Sequence, residues 1–561
     1  MREGATIRSA FLSERTPPAQ RVALLVLGLF LLTETSTAVF ALSAPRYGTP
    51  PRTASVVSQG IDVIVNAPGD ADEEGPNCNV QNEVSLARWG DNLVAGWNDG
   101  SQCQRLILRR SGQDDGLGLS VSGYGYSSDA GATWTDGGLL DPPAGASLEG
   151  DPVVAAGPSG VFYYATLYAC ASTPPCVGPE ERLQVGVASS ADGGRSWTLP
   201  VGASGGREGM DQDKPWIAVD ATSSPHRGSV YVAWTEMRTA TGLPQAVLFA
   251  RSLDGGKTFS DPIKLSTPVP LAGTVKEWPG FGTQIAVGPE GEIYVGWVET
   301  QLNVARRIWF VRSLDGGNSF DPPTFVGEAG LVGHRHEACA ALGADPGRYD
   351  PTNPQPPNWT RWVINGDIRI GNWLSMAVDV SPSPHRGNIY LAVPHDEAPQ
   401  LNPPYGDESD IAFMYSKDGG ASWTNVDSTD IRRPPTFIVN ADETNDQFHP
   451  QVAVDTAGRV AVSWYDRRSD PGNLFMDLFV GVSTDGGRTF GQELAVSDDT
   501  FPPSRTNPST GGFGGCYMGE YNAMVGGDGE FLLAWGDNRD GSEAHPDPNV
   551  YFDRVKLGAA T

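Results

Sequence analysis

The chain has 561 residues and a formal net charge of −28, with acidic residues spread along its whole length. A negative field of this size repels nucleic acids and anionic membranes, so neither is expected as a partner. Its 69 glycines and 45 prolines favour many short strands and turns over a helical fold.

Residues 1–41 are predicted to be a secretory signal peptide. Arginines precede the apolar run "VALLVLGLFLL" (22–32), which is too short to span a bilayer, and small residues follow near position 41. We therefore expect a secreted, periplasmic or cell-surface protein with no membrane insertion after signal removal; an uncleaved anchor is the alternative. Residues 42–60 are expected to be a linker, and the protein is expected to be a monomer.

One turn recurs six times along the chain, always as Ser-x-Asp-x-Gly-x-Ser/Thr-Trp/Phe. The copies are "SSDAGATW" (127–134), "SADGGRSW" (190–197), "SLDGGKTF" (252–259), "SLDGGNSF" (313–320), "SKDGGASW" (416–423) and "STDGGRTF" (483–490). In such a turn the Asp accepts backbone N–H groups, the Gly supplies a positive φ, and the aromatic residue pins the turn to the sheet. We predict a structural role for Asp129, Asp192, Asp254, Asp315, Asp418 and Asp485.

Short strands precede each turn in a constant order. An Ala/Val-rich strand such as "WIAVD" (216–220) is followed by one such as "SVYVAW" (229–234), then by a third strand that runs into the turn and a fourth behind it. Each unit of about sixty residues is thus a four-stranded antiparallel meander. A last unit lacks the turn and its fourth strand, which "IDVIV" (61–65) can supply. The sequence therefore predicts an all-β, seven-bladed β-propeller over residues 61–558, closed by an N-terminal strand.

The six turns resemble the Asp boxes, or bacterial neuraminidase repeats, of the sialidase superfamily. The resemblance covers residues 84–490 and implies a propeller that acts on or binds extracellular glycans or glycoproteins, as a glycoside hydrolase of the exo-sialidase type. The family's Phe-Arg-Ile-Pro motif is absent, since the nearest text, "DIRIGN" (367–372), lacks its Phe and Pro. Asp boxes also occur in non-catalytic propellers, so a glycan- or protein-binding module is an alternative. A polysaccharide lyase that uses His449 and Tyr521 is another.

Propeller geometry places the Asp turns on one face and the loops that lead into strand one on the other. The second face is expected to form an axial funnel suited to carbohydrate. A phenol becomes nucleophilic only when a carboxylate takes its proton, which draws attention to "CYMGEYN" (516–522). We expect the catalytic groups to be among Glu520, Tyr521, Tyr517, His449 and Asp213. Substrate contacts are expected from Arg238, Arg467, Arg539, Lys214 and Asp466.

The acids of that face have an architectural alternative. Trp-x-acid recurs after strand two as "WTE", "WVE", "WYD" and "WGD", and a repeated feature is usually structural. These acids can bind loop N–H groups or pair with arginines of neighbouring blades.

The segment 321–371 lengthens the fifth unit and is expected to be a Pro-rich loop on the funnel face. Its "HRHE" (334–337) can reach over the opening as a lid, with a zinc site as a less favoured interpretation. No cofactor is expected. Calcium is the alternative, because "GDADEEGPN" (69–77) and "YDRRSDPGNLFMD" (465–477) offer oxygen ligands, although neither has a known calcium-loop spacing.

The six cysteines fit an oxidising compartment. A short loop separates Cys170 from Cys176, Cys78 and Cys103 fall within one unit, and Cys339 and Cys516 remain. We therefore expect Cys170 to pair with Cys176, Cys78 with Cys103, and Cys339 with Cys516. Because six cysteines allow fifteen pairings, this set of disulfides is one of many.

Overall fold

The computed structural model describes residues 56–68, 80–102, 105, 108, 118–170, 183–206, 208–238, 243–266, 278–300, 305–330, 332–335, 362–366, 368–370, 373–396, 408–424, 437–442, 444–491, 493–504, 517–542 and 547–558. The predicted signal peptide, the stretch 69–77 and five of the six cysteines lie outside these residues. Cys170 takes part in a disulfide, and the pairings stay predictions.

The strands follow one another along the chain as successive blades. Two N-terminal strands, β1 (Val56–Gln59) and β2 (Val63–Ile64), precede the first blade. Blade 1 consists of β3 (Gln81–Trp89), β4 (Asn92–Asp99), β5 (Ser122–Ser127) and β6 (Thr135–Leu139), with a 3₁₀ turn at Gly100–Gln102. Blade 2 consists of β7 (Ala146–Ala156), β8 (Phe162–Cys170), β9 (Leu183–Ser190) and β10 (Val201–Gly202).

Blade 3 consists of β11 (Met210–Val219), β12 (Val230–Arg238), β13 (Leu243–Ser252) and β14 (Ile263–Lys264). Blade 4 consists of β15 (Trp278–Val287), β16 (Ile293–Thr300), β17 (Ala305–Ser313) and β18 (Thr324–Gly330). A separate small sheet follows, formed by β19 (His334–Arg335), β20 (Trp362–Ile364) and β21 (Ile368–Arg369).

Blade 5 consists of β22 (Ser375–Val378), β23 (Ile389–His395), β24 (Asp410–Ser416) and β25 (Phe437–Ile438). Blade 6 consists of β26 (Gln447–Val454), β27 (Val460–Asp466), β28 (Asp477–Ser483) and β29 (Leu494–Ala495). Blade 7 consists of β30 (Ala523–Gly526), β31 (Glu530–Asp537) and β32 (Asn549–Leu557).

The blades form a closed ring of seven antiparallel sheets, as predicted. The innermost strand of each blade contacts that of the next, and β30 of the last blade contacts β3 of the first. The apolar core lies between neighbouring sheets, where the second strands bury Trp97, Trp234, Trp464 and Trp535 completely. Because every sheet packs against two others, the ring fixes seven inner strands around one axis.

The N-terminal strands close the ring by pairing with β32, which confirms the predicted closure. The predicted strand 61–65 corresponds to β2, but β1 lies in the segment expected to be a linker. The long edge of β32 explains the difference, because the short β2 covers only part of its nine residues. Side chains fasten the seam: Asn66 donates to Asn549 Oδ1 at 2.9 Å and accepts the Val550 N–H at 2.7 Å.

The Asp turns share one hydrogen-bond pattern. In the third copy the Ser252 hydroxyl donates to Asp254 at 2.7 Å and accepts the Gly256 N–H, while Thr258 donates its N–H and hydroxyl to the two carboxylate oxygens. The same bonds recur around Asp129, Asp192, Asp315, Asp418 and Asp485. These bonds lower the pKa of Asp129 to about 2, so its carboxylate is ionised whenever the turn is formed.

The segment 321–371, expected to be a loop, contains strands. Its first part is β18, which is the outer strand of blade 4, and its last part belongs to the small sheet β19–β20–β21. Among the residues of the chain that the structure describes, no helix has the length and apolarity needed to cross a bilayer.

Candidate functional site

The site begins with one backbone position that recurs in every blade. In blades 1, 2, 3, 4 and 6, the pairing between the innermost strand and the second strand shifts register and then resumes. The position of interest lies two residues before the residue at which this pairing resumes. We call this set of positions the bulge ring. Around the axis it is occupied by Glu83, Asp151, Lys214, Gly282, Trp373, His449 and Tyr521. Because the residue type changes from blade to blade, a shared structural role does not explain the set.

The bulge ring also concentrates backbone strain. Glu83, Asp151, Lys214 and His449 have φ between 49° and 54°, a region that L-residues with side chains rarely adopt. Each such residue costs on the order of 1–3 kcal/mol, and such strain clusters at functional sites. Here three of the strained residues, Glu83, Asp151 and Lys214, bring charged groups into contact.

Lys214 is the centre of the charged groups. Its ammonium lies 2.5 Å from Glu83 Oε1, 3.2 Å from Asp151 Oδ1 and 3.1 Å from Glu520 Oε2. All four side chains are buried, with 8% of Lys214 and 1% of Glu83 exposed. Burial would lower the pKa of Lys214, but the three carboxylates raise it well above its ordinary value. Lys214 is therefore a fixed positive charge, and one such charge cannot neutralise three carboxylates.

Three of the acids are joined to one another. The carboxyl of Asp151 shares hydrogen bonds with those of Glu83 and Asp213, and we call these three residues the carboxyl set. Burial raises the pKa of Glu83 to about 8 and that of Asp151 to about 6, against the effect of Lys214. Burial also raises the pKa of Asp213, which is the half-buried member. Because the three groups titrate together, the carboxyl set keeps a proton at neutral pH.

Glu520 links the carboxyl set to a second cation. Arg369 donates to Glu520 Oε1 at 2.8 Å, and its guanidinium lies over the Tyr517 ring at 4.3 Å. The Tyr517 hydroxyl lies 3.4 Å from the Lys214 ammonium. Burial and nearby carboxylates raise the pKa of Tyr517 well above its ordinary value, so this phenol holds its proton.

Two further expected residues border this cluster. The Tyr521 hydroxyl donates to the Pro152 carbonyl at 3.0 Å, and the Tyr521 ring lies 5.9 Å from the Lys214 ammonium. His449 is buried, and its Nε2 has no hydrogen-bond partner among the described residues. Burial lowers the pKa of His449 to about 4, although the charge of Glu520 opposes this, so the imidazole is neutral at pH 7.

The side chain of Trp373 fills the space beside Gly282, which is the fourth position of the bulge ring. A Cβ at Gly282 would overlap the Trp373 ring, so glycine is required for Trp373 to lie there. The ring of Trp373 in turn lies 5.6 Å from the Lys214 ammonium, and its buried Nε1 has no hydrogen-bond partner in the described ranges of the chain. Arg306 adds another buried donor, its Nε, near Glu520. The surroundings of Lys214 thus combine aromatic faces with N–H donors that no group of the described residues occupies.

The structure does not bring the three arginines expected to bind substrate to the Lys214 cluster. Arg467 is fully buried and pairs with Asp446 at 3.0 Å. Arg539 pairs with Asp537 at 2.6 Å and Asp62 at 2.7 Å, and Arg238 is exposed at the end of β12. Their predicted roles stay untested, but Arg467 and Arg539 already serve as partners of buried carboxylates.

Asp466, the remaining expected substrate contact, belongs to the Trp-x-acid repeat. It accepts the Trp464 indole N–H at 2.7 Å and is held by Arg468. The same indole-to-acid bond joins Trp97 to Asp99 and Trp535 to Asp537. This repeated bond supports the architectural alternative for these acids.

Five of the residues expected at the site, Glu520, Tyr517, Tyr521, Lys214 and Asp213, lie within one cluster. Glu83, Asp151 and Arg369 also belong to the cluster but were not among the expected catalytic or substrate-binding residues. The sequence held a signal for Glu83 and Asp151, because these residues occupy the same position in their repeats as Lys214 does in its own. Arg369 stands in "DIRIGN", where only the loss of the family motif was apparent.

The carboxyl set predicts how stability depends on pH. The unfolded carboxyls ionise near their ordinary values, 3.8 for Asp and 4.5 for Glu, whereas the folded set keeps a proton to about pH 8. The folded chain binds more protons in this window, so its stability falls as pH rises. His395 and His449 act oppositely, but only below their ordinary value of 6.5.

Urea unfolding at pH 6.5 and at pH 8 tests this, and Glu83→Gln, which leaves both histidines in place, separates the carboxyl set from the titration of the unfolded histidines. We expect the free energy of unfolding to be lower at pH 8 by roughly 1–2 kcal/mol, and the difference to shrink in Glu83→Gln. A stability that is equal or greater at pH 8 would contradict the proton-holding set.

Comparison with known proteins gives remote structural similarity only. No model of a known protein family matches the sequence, and no curated protein sequence does. Among solved structures, an ulvan lyase is 9% identical with TM-score 0.45, covering 86% of this chain and 95% of its own. A Hadza microbial sialidase is 13% identical with TM-score 0.40, covering 78% and 73%. A Penicillium chrysogenum α-L-arabinanase is 10% identical with TM-score 0.40, covering 88% and 98%. Similarity at this level carries no information on activity or substrate.

Proposed function

We propose that this protein is a glycoside hydrolase that cleaves an acidic glycan at the axial mouth of the propeller. The observation that carries the proposal is the carboxyl set, which keeps a proton at neutral pH beside the ion-paired carboxylate of Glu520. Glycoside hydrolysis needs such a pair: one acid that protonates the leaving oxygen and one carboxylate that acts as base or nucleophile. We assign the first role to Asp213, because it is the least buried member of the set.

An acidic group on the glycan accounts for the unoccupied donors of the mouth. The Nε atoms of Arg306 and Arg369 are buried and have no hydrogen-bond partner within the part of the chain that the structure describes. A carboxylate is the group that guanidinium donors bind best. The chain is otherwise strongly acidic, so these cations select where a negatively charged residue of the glycan can lie.

Hydrolysis is favoured over β-elimination by the state of the tyrosines. The lyase alternative pairs His449 with a tyrosine to take a proton from carbon and return one. The neutral His449 meets its half of this requirement, so the tyrosines decide between the two reactions. Tyr521 instead donates its hydroxyl proton to a backbone carbonyl, and the pKa of Tyr517 is raised well above its ordinary value. We also propose that the protein acts outside the cell, in keeping with its N-terminal sequence. We further propose that it acts as a monomer.

The test is a screen of fluorogenic glycosides and glycan polymers with the purified chain. We expect turnover of a sialoside or uronoside, no ultraviolet absorbance from an unsaturated product, and loss of turnover in Glu520→Gln. Glycan binding on an array without cleavage would replace the hydrolase by a binding module. An unsaturated product would replace it by a lyase, and neither binding nor cleavage would end the glycan proposal.

A further inference from the structure

One buried side-chain amide, that of Asn98, connects Glu83 and Asp151 of the carboxyl set. Asn98, on β4, is 2% exposed and lies between the ring positions of blades 1 and 2. Its Nδ2 donates to Glu83 Oε2 at 3.0 Å and to Asn82 Oδ1 at 3.0 Å, and its Oδ1 accepts the Asp151 N–H at 2.9 Å. A Cβ at Gly150 would overlap the Asn98 oxygen, so the chain leaves room for this amide.

The orientation of this amide follows from the chemistry of its partners. The backbone N–H of Asp151 can only donate, so it must meet the oxygen of Asn98. The NH₂ group of Asn98 therefore faces Glu83. An amide N–H bonded to a carboxyl oxygen favours the form of the carboxyl in which this oxygen carries no proton.

The other oxygen of Glu83 is occupied in the same way, because Oε1 lies 2.5 Å from the Lys214 ammonium. Both oxygens of Glu83 thus accept hydrogen bonds from N–H donors. The charged and titratable groups that face Glu83 from other elements are Lys214 and Asp213 of β11, Asp151 of β7, Arg369 of β21, and Glu520, Tyr517 and Tyr521 ahead of β30.

We propose that Asn98 is a positioning residue that weakens the hold of Glu83 on the proton of the carboxyl set, so that this proton is available to Asp213. This inference deepens the hydrolase proposed above and rests on it for its catalytic meaning. Without the amide donor, Glu83 Oε2 becomes an additional place for the proton, and Asp213 is protonated for a smaller fraction of the time.

The experiment compares kcat and KM against pH for the full chain and two variants. In Asn98→Ala we expect kcat at neutral pH to fall roughly tenfold, as the loss of one hydrogen bond to a charged group implies, with KM changed less than about twofold. The basic limb of the kcat profile should move to higher pH, because the carboxyl set as a whole then holds its last proton more tightly, with less of that proton on Asp213. Asn98→Asp keeps the shape and the acceptor for Asp151 but offers no amide donor, so it should show the same shift.

Asn66→Ala is the matched control, because Asn66 is a buried amide that also accepts a backbone N–H and donates to a side-chain amide, far along the chain from Lys214. It should lose stability with an unchanged pH profile. An unshifted profile in both Asn98 variants would overturn the inference and leave the hydrolase standing.

If the wild-type chain cleaves no glycan, the hydrolase fails, and the unfolding free energy against pH tests Asn98 by itself. Loss of the amide donor should raise the pKa of Glu83 further. The fall of the unfolding free energy with rising pH should therefore extend to higher pH in Asn98→Ala. A limb identical to that of wild type would overturn the inference.

Discussion

Replacement of Lys214 by methionine is expected to lower the free energy of unfolding by about 3–5 kcal/mol, because it leaves buried carboxylates without their cation. The change keeps an unbranched chain of similar length, so the lost charge is the main alteration. Glu83, Asp151 and Glu520 all lie within 3.2 Å of the Lys214 ammonium and lose it together. Glycan turnover should be abolished. Urea unfolding and a glycosidase assay provide the two measurements.

A second substitution separates the charge effect from a packing effect. Glu83→Gln removes one of the buried negative charges, so the double variant with Lys214→Met should recover part of the lost stability. Lys264→Met, at an exposed lysine of β14, serves as the control and should change stability little. If Lys214→Met unfolds like wild type, the ion cluster does not stabilise the mouth of the propeller.

The second large effect concerns catalysis. Asp213→Asn should lower kcat by roughly 10²–10⁴-fold, the range expected for loss of a general acid. Asparagine keeps the shape of the side chain but cannot deliver a proton, so KM and the unfolding free energy should change little. Initial rates on the best glycoside from the screen, measured from acidic to basic pH, check this.

Asp211→Asn is the matched control, since Asp211 lies two residues earlier on β11 and accepts the Leu183 N–H at 3.2 Å. It should retain turnover. A substrate with an activated leaving group needs less protonation, so it should be the least affected by Asp213→Asn. Equal turnover by Asp213→Asn and wild type would assign the acid to another residue.

The fold was accessible from the sequence because its chemistry is local and repeated. Each Asp turn carries its own donors and acceptors within eight residues, so one copy explains the others. The closing strand could be inferred because a propeller leaves no blade incomplete. The sequence did not predict β1. This strand pairs with β32 at the other end of the chain, so no motif near it in the sequence indicates the pairing.

The site was accessible only in part. Loop topology alone placed Lys214, Asp213 and Glu520 on one face. The ion pair of Arg369 with Glu520 joins residues 151 positions apart, and sequence gives no measure of such a distance. Arg467 shows the converse, because an arginine at a funnel rim looks like a ligand until its buried partner Asp446 is seen.

The cluster around Lys214 draws on both ends of the molecule. Glu83 comes from the first blade, whereas Glu520 precedes the last. During synthesis the first blades leave the ribosome long before Glu520 exists, and domains fold from the N-terminus onwards. A growing chain therefore carries an incomplete ion cluster, and the chemistry of the mouth matures only when the final sheet docks. Formation of the complete Lys214 cluster therefore depends on closure of the ring.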